Sequence, residues 1–538
     1  MNPAELSPRD RRAAALLALA LLAYWLLWLG AAPLFDVDEG AFSEASREML
    51  RSGDWLHTTL NGTDRFDKPI LVYWLQAVSL AVFGVNEFAA RLPSALCGWG
   101  WSLAAGFFAF QRWGRAAGLA VACIVATSAG PLFIGRAATA DALLNLLLVL
   151  TLFDAIRFVE LDVAGERAAA LRKLRRAFLW AGLGLLAKGP VAVVVPAGAL
   201  FAWAILVRGD AWRTVLRAAS DWRAWCIALV VSLPWYLYAL NRHGQAFIDG
   251  FFLRHNLDRF SGPLEGHQGS VLYYVVVLPL VMLPWTALLL PALSTLWREW
   301  RVKAATPAVR LLAGWGGFVL VFFSLSGTKL PHYVLYGFTP FALLAARALA
   351  QGARVTAWLA AALAGAMVLL TTASPGLAVR LAQAQTDPYW RALVDPETLP
   401  AAPAWGVATA VALAIAVLAG WRFARRDAIG GAVVAAIACG LWLTGAIVPW
   451  WGQVLHGPAR ELSLLAREHG WPLVQWRADQ PSAAFYRDAP APRRAPQPGE
   501  VALSREDRLA QPGADVPPRF DIVARSRGLV LIAVPRAP

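Results

Sequence analysis

Long apolar runs alternate with short charged ones through residues 1–450. Runs of about 17–25 apolar residues match the thickness of a bilayer. They lie near 13–33, 91–111, 115–133, 139–158, 177–188, 190–207, 222–240, 271–293, 310–326, 331–350, 354–373, 402–420 and 428–450. This pattern predicts an all-α polytopic membrane protein with about thirteen transmembrane helices. Lys188-Gly189-Pro190 interrupts the 177–207 pair. Residues 73–83 are apolar but short, and read as a juxtamembrane helix lying at the surface. In the first outer loop, 34–72, Ala41, Phe42, Ala45, Met49 and Leu50 recur at helical spacing. That spacing predicts an amphipathic helix over 38–50, with Asp38 as N-cap, Glu39 in the first turn and Gly53 as the stop. Glu44, Arg47, Glu48 and Arg51 suit i,i+3 and i,i+4 ion pairs along it, and Asn61-Gly62 is a tight-turn signal.

Past residue 450 the pattern changes. Residues 451–538 are polar and rich in Pro and Arg, without a run long enough to span. Leu462, Leu465 and Ala466 give 458–469 helical spacing, 472–476 and 529–534 resemble short strands, and 489–498 is a loop by composition. The division is therefore a membrane domain, 1–450, and a small soluble α/β domain, 451–538.

Composition agrees. Of 538 residues 58% are hydrophobic and only 16% charged, against about 25% charged in soluble chains. The first span follows Arg9, Arg11 and Arg12 and is too long for a signal-peptide core, so we expect an uncleaved anchor with a cytoplasmic N-terminus. The net charge of +14 does not imply nucleic acid. Its basic residues fall mostly in alternate loops (Arg112/Arg115, 157–176, 208–223, 298–310, Arg347/Arg354, 422–426), the positive-inside distribution that sets orientation. An odd number of spans then places the C-terminal domain outside the cytoplasm. His57, His243, His255, His267, His332, His456 and His469 all fall on that outer side, either by chance or because the working surface faces outward. The four cysteines (Cys97, Cys123, Cys226, Cys439) lie inside apolar spans and read as buried small hydrophobes, not as a disulfide framework.

Chemistry concentrates at the outer interface. Asp36, Asp38 and Glu39 place three acids in four positions directly after the first span, where an ionisable group is costly unless it is hydrated or has a function. Lys68, before Pro69 at the entry to an apolar stretch, suits a lipid phosphate or simply snorkels. Asp141 opens the 139–158 span, as a helix cap or as a working acid. Lys329, His332 and Tyr333 sit at an outer mouth, and the 254–267 stretch offers Arg254, His255, Asp258, Arg259 and His267. Asp67 and His267, with His332 as a third, are candidate ligands of a divalent metal such as zinc, although their spacing is not a zinc motif. No phosphate-cradling glycine loop or nucleophile elbow is present, so a nucleotide substrate has no visible cradle.

The stretch DEGAFSEASREMLRSGDWLHTTLNGTDRFDKPILVYWLQAVSLAVFGVNEFAARLPSALCG resembles the signature of bacterial lipid-linked-sugar transferases. These are the aminoarabinose-transferase-like members of the protein mannosyltransferase superfamily, with the GT-C fold. Weaker echoes follow at Asp141, at 256–260 with His267, at Tyr273-Tyr274 and at 329–333. Where many relatives have Arg, Glu and Pro, this chain has Ala41, Asp67 and Ile70.

The resemblance implies an inverting glycosyltransferase in the bacterial inner membrane, acting at the periplasmic face. Its donor is a sugar on undecaprenyl phosphate. Its acceptor is lipid A or lipopolysaccharide, with protein or another glycan as the alternative. It further implies Asp38 and Asp141 as catalytic acids, and Lys68, Lys329, Arg259 and Tyr333 around the donor phosphate. Glu39, Arg47 and His332 are expected at the acceptor or another part of the site, and Asp67 and His267 match positions linked to a metal or the acceptor. We expect a monomer with no nucleic-acid partner. From a different class, a lipid or sugar flippase would show paired half-helices and charges at mid-membrane. A scaffold with a dead site would leave Asp38 dispensable.

Overall fold

The structure is a computed structural model. It describes residues 8–536 except 259–268, 353, 385, 426, 512–515 and 518. Helices occupy every one of the apolar segments. Among the described residues, seven are long and apolar enough to cross a membrane on their own, and up to eight if one bent pair counts as a single span. The expectation of about thirteen spans exceeds this figure, for physical reasons. Val191–Val207 is short, and Arg167–Lys188 begins in a cytoplasmic-type basic stretch. Glu87–Thr127 is two helices joined at Gly114, where φ of +83° lets the chain turn between the 91–111 and 115–133 segments, as their separation in the sequence suggests. The expected straight span at 271–293 is instead Tyr273–Val281 and Trp285–Arg301, bent by 113°. Pro284 at the bend has no N–H to carry a helix through.

The largest core lies between Glu87–Thr127, Asp141–Val163, Pro307–Leu325 and Phe338–Ala350, with Trp101, Trp285 and Trp315 fully buried. Two of its buried indoles are paired: Trp315 Nε1 donates to the Tyr336 carbonyl at 2.6 Å and Trp285 Nε1 to Thr127 Oγ1 at 2.8 Å. Cys97, Cys123 and Cys439 are buried as expected, whereas Cys226 is exposed on the flank of Trp222–His243.

The first outer loop forms the amphipathic helix Asp38–Ser52, with Ala41, Phe42, Ala45 and Met49 buried. Gly53 stops it at φ +72°, its N–H bonded to the Met49 carbonyl. Asp38 is the first helical residue and not the N-cap: Val37 holds that position without a side-chain cap. Strands β1 (Thr59–Leu60) and β2 (Thr63–Asp64) form a hairpin around Asn61-Gly62, both at positive φ, as the tight turn demands. Leu71–Phe83 is the juxtamembrane helix, too short to span.

The C-terminal domain carries β3 (Leu473–Gln475), β4 (Val501–Arg505), β5 (Asp521–Ser526) and β6 (Leu529–Ala533) in the order β3-β4-β6-β5. β3 runs parallel to β4 and the remaining pairs are antiparallel. Gly457–Glu468 buries Ala459, Leu462 and Ala466 against this sheet. The domain rests on the first outer loop. The Leu34 N–H donates to Tyr486 Oη at 2.7 Å, the Ser482 N–H to Asp36 at 2.9 Å, and the Ala491 N–H to Asn61 at 2.8 Å.

Candidate active site

The three acids after the first span have separate fates. Glu39 is buried and accepts from Arg91 Nε at 2.9 Å and Nη2 at 2.7 Å, and from the Ala138 and Phe35 N–H groups. Burial alone would raise its pKa, but Arg91 and these donors hold it below the usual carboxylate range. Asp36 accepts from the backbone N–H and hydroxyl of Ser482. Its burial outweighs those bonds and pushes its pKa up to about 7. Asp38 alone is exposed. It stands in the first turn of its helix, where the positive end of the peptide dipoles favours an anion. Its charge acts on Arg65 and Tyr73.

Arg65 links this acid to the next group. Its Nε donates to Tyr73 Oη at 3.2 Å, and its Nη2 pairs with Asp67 Oδ2 at 2.8 Å. The other carboxylate oxygen of Asp67 meets His255 Nε2 at 2.8 Å. Burial would raise the Asp67 pKa, but His255, Arg65 and Lys68 together hold it well below the usual range. The histidine that meets Asp67 is thus His255. His267 and Arg259 lie outside the described residues. For a metal at Asp67 the described residues fit poorly: they supply two donor atoms, and a guanidinium already occupies one carboxylate oxygen.

Asp67 and Lys68 open onto a cavity of about 370 Å³. Lys188, His255, Tyr333 and Tyr336 supply polar lining, and Val191, Val194, Phe251 and Phe322 supply apolar lining. Lys188 ends its helix because Gly189 turns the chain at φ +77°, and a Cβ there would strike the Phe251 ring at 2.7 Å. The lysine therefore points into the cavity. It donates to Asp141 and lies 5.9 Å from the Tyr333 ring centre and 5.6 Å from that of Tyr336. Asp141 also accepts from Tyr336 Oη at 2.9 Å, and His332 Nε2 lies 3.8 Å away. The result is a cation-rich pocket continuous with an apolar groove, a shape suited to a phosphorylated lipid.

The remaining sequence candidates are placed otherwise. Asp38 is not among the residues lining this cavity. Lys329 is buried with its ammonium on the Phe323, Ser324 and Ser326 carbonyls, satisfying the end of Pro307–Leu325. Arg47 is buried against Glu44 at 2.7 Å and Asp488 at 3.2 Å. Sequence reasoning passed over Lys188, Tyr336 and Arg65. The available signal was a lysine followed by Gly-Pro in the middle of an apolar run, which is costly unless it has a partner or a function.

The dolichyl-phosphate-mannose-protein mannosyltransferase family matches residues 67–238. The undecaprenyl phosphate-alpha-4-amino-4-deoxy-L-arabinose arabinosyl transferase of Pseudomonas paraeruginosa is 32% identical over 344 residues, 64% of this chain and 61% of the relative. That of Serratia proteamaculans is 31% identical over 62% of this chain and 58% of the relative. The chain thus matches about three-fifths of these relatives' length. In structure it is similar to ArnT from Cupriavidus metallidurans bound to undecaprenyl phosphate, with TM-score 0.78, 21% identity and coverage of 96% of this chain and 97% of that one. The apo form of the same protein gives TM-score 0.76 at 20% identity, over 97% of this chain and 98% of that one. The fold is shared over nearly the whole length and the sequence is similar to these transferases over about three-fifths of it, and the chain is a multi-pass membrane protein with the GT-C fold.

Proposed function

We propose that this chain is an inverting glycosyltransferase that moves a sugar from undecaprenyl phosphate to lipid A or lipopolysaccharide at the periplasmic face of the bacterial inner membrane. The observation that carries the reading is the amphiphilic cavity, lined by Lys68, Lys188 and Tyr333 together with Val191, Val194 and Phe322. The cations suit the phosphate and the apolar wall suits the isoprenoid. The names of the relatives support the donor and the aminoarabinose unit.

In this reading the acceptor hydroxyl attacks the anomeric carbon from the face opposite the phosphate. The bond from that carbon to the phosphate oxygen breaks, the configuration inverts, and undecaprenyl phosphate leaves with the electron pair. Asp38, exposed to the side from which an acceptor arrives, takes the hydroxyl proton. Lys68 and Lys188 offset the charge that gathers on the leaving phosphate. Asp141 and Tyr336 position Lys188, and Arg65 ties the base to the donor end. No step passes through a metal. Residues 1–450 form the transferase domain, and 451–538 a soluble domain that supports the first loop.

The test is reconstitution of the purified full chain with undecaprenyl-phosphate-linked aminoarabinose and lipid A, read by mass spectrometry of the lipid product. Expected is one added sugar, lost in Asp38→Asn. Donor consumption only with a protein or another glycan as acceptor would move the acceptor assignment. Transmembrane movement of intact donor without any cleavage would replace the transferase with a flippase.

A further inference from the structure

We infer that His57, Asp64 and His243 form a binding site for a divalent cation of borderline softness, zinc by the chemistry of its donors, which fastens the first outer loop to the end of the Trp222–His243 helix. This site is separate from the donor cavity and does not depend on the transferase reading.

Three pieces of chain converge there. His57 lies between the end of the loop helix and the β1–β2 hairpin, Asp64 closes β2, and His243 is the last residue of its helix. His57 Nε2 is 3.0 Å from Asp64 Oδ1, and His243 Nδ1 is 3.2 Å from Asp64 Oδ2. One ligand atom from each of the three residues lies within 4.8 Å of the others. Ligands about 2.0–2.2 Å from a tetrahedral zinc stand only about 3.4 Å apart, so little movement closes the shell.

The surroundings agree with a cation. The imidazole side chains are 12% and 10% exposed, whereas that of Asp64 is 49% exposed. The site is therefore walled by the two rings and open on the carboxylate side, leaving a fourth position for water. The rings lie 4.7 Å apart at 33°, and Phe66 meets the His243 ring edge-on at 5.1 Å. The second nitrogen of His57 faces Asp54 Oδ2 at 3.9 Å, and Arg242 grips that carboxylate at 3.1 Å. A carboxylate behind a ligating imidazole is the usual outer support of zinc sites. Two neutral imidazoles and one carboxylate carry a net negative charge, and among the described residues no guanidinium meets Asp64, unlike Asp67. Bound there, a cation would fix the hairpin three residues before Asp67, and with it the start of the Asp67-Lys68 pair.

The experiment uses the full chain in detergent, stripped with a chelator and titrated with zinc chloride against a chromophoric competitor. Metal content is measured by mass spectrometry. Wild type should hold about one zinc, and Asp64→Asn and His243→Gln should each weaken binding by more than about 100-fold. Asp54→Asn should weaken it about 10–100-fold, and Asp67→Asn should leave it unchanged. X-ray absorption on zinc-loaded wild type, which needs no variant, should show two imidazoles in the first shell. The inference is overturned if wild type holds no zinc, if the absorption spectrum lacks imidazole, or if Asp67→Asn removes the zinc while Asp64→Asn and His243→Gln do not.

Discussion

Two groups of charge flank the first outer loop, and they are built alike but closed differently. Toward the C-terminal domain, Glu39 with Arg91, Glu44 with Arg47, and Asp488 with Arg47 and Arg51 form compact pairs among backbone donors and carbonyls. Arg91 also donates to the Leu29, Ala32 and Pro33 carbonyls, so its guanidinium faces protein on every side. Toward the membrane, Asp67 and Lys68 and the Asp141–Lys188 pair border a cavity. Both groups set carboxylates against cations, Arg in the first and Lys in the second. What separates them is whether a charge ends against its partner or against space that another molecule can fill. In the first group, removing one partner leaves a buried charge uncompensated. In the second, it should spare the fold and change what the cavity can hold.

The sharpest way to break this comparison is within the acid cluster. Asp38→Asn should lower transferase turnover by about 10²–10⁴-fold with an unchanged melting temperature, while Asp36→Asn should leave turnover within a few-fold of wild type. Equal losses would erase the distinction between them. Arg91→Leu comes next: stranding Glu39 should destabilise the chain by about 3–5 kcal/mol, seen as loss of folded protein in thermal melts. A stable, inactive Arg91→Leu would move that pair into the working group. Lys68→Ala and Lys188→Met should each cost about 10²–10³-fold in turnover. Lys303→Ala, on an exposed turn after Leu289–Arg301, should cost nothing.

The smallest effect is on pH. Asp36 has its pKa raised to about 7 by burial, from an ordinary value of 3.8. The folded chain therefore holds this proton more tightly than the unfolded one. Its contribution to stability is complete below about pH 4 and is lost as pH rises through about 7. Thermal melts from pH 5 to 8 should show wild type losing more stability than Asp36→Asn, and parallel curves would remove Asp36 from the account.

Much of this was readable in the chain, and the unreadable part has a common cause. Local chemistry foretold local structure: Asn61-Gly62 made its hairpin, Gly53 stopped its helix, and Ala41, Phe42, Ala45 and Met49 faced inward. Lys68 stood out because a lysine before a proline at the edge of an apolar run is visible in a few residues. The partner of Asp141 did not stand out, since Lys188 sits 47 positions away and looked like a flaw in a span. Glu39 looked as free as Asp38 because its partner Arg91 is 52 positions distant, and for Arg47 the pairing with Glu44 was legible whereas Asp488, 441 positions away, was not. Strands β4 and β5 went unseen because strand ends and turns there carry little alternation, and the sheet is set by pairing with β6. Every apolar segment is helical, but a run of hydropathy does not register a 113° bend, so the 271–293 segment read as one straight helix.

The hold of Ser482 and Tyr486 on residues 34–36 has a consequence for biogenesis. These bonds join groups 446 and 452 positions apart. The loop at residues 34–36 is made early in synthesis, yet its bracing is delivered by polypeptide translated far later. Until residues 482–491 arrive the nascent chain has an unbraced loop, so the cluster around it is completed only when synthesis is nearly finished.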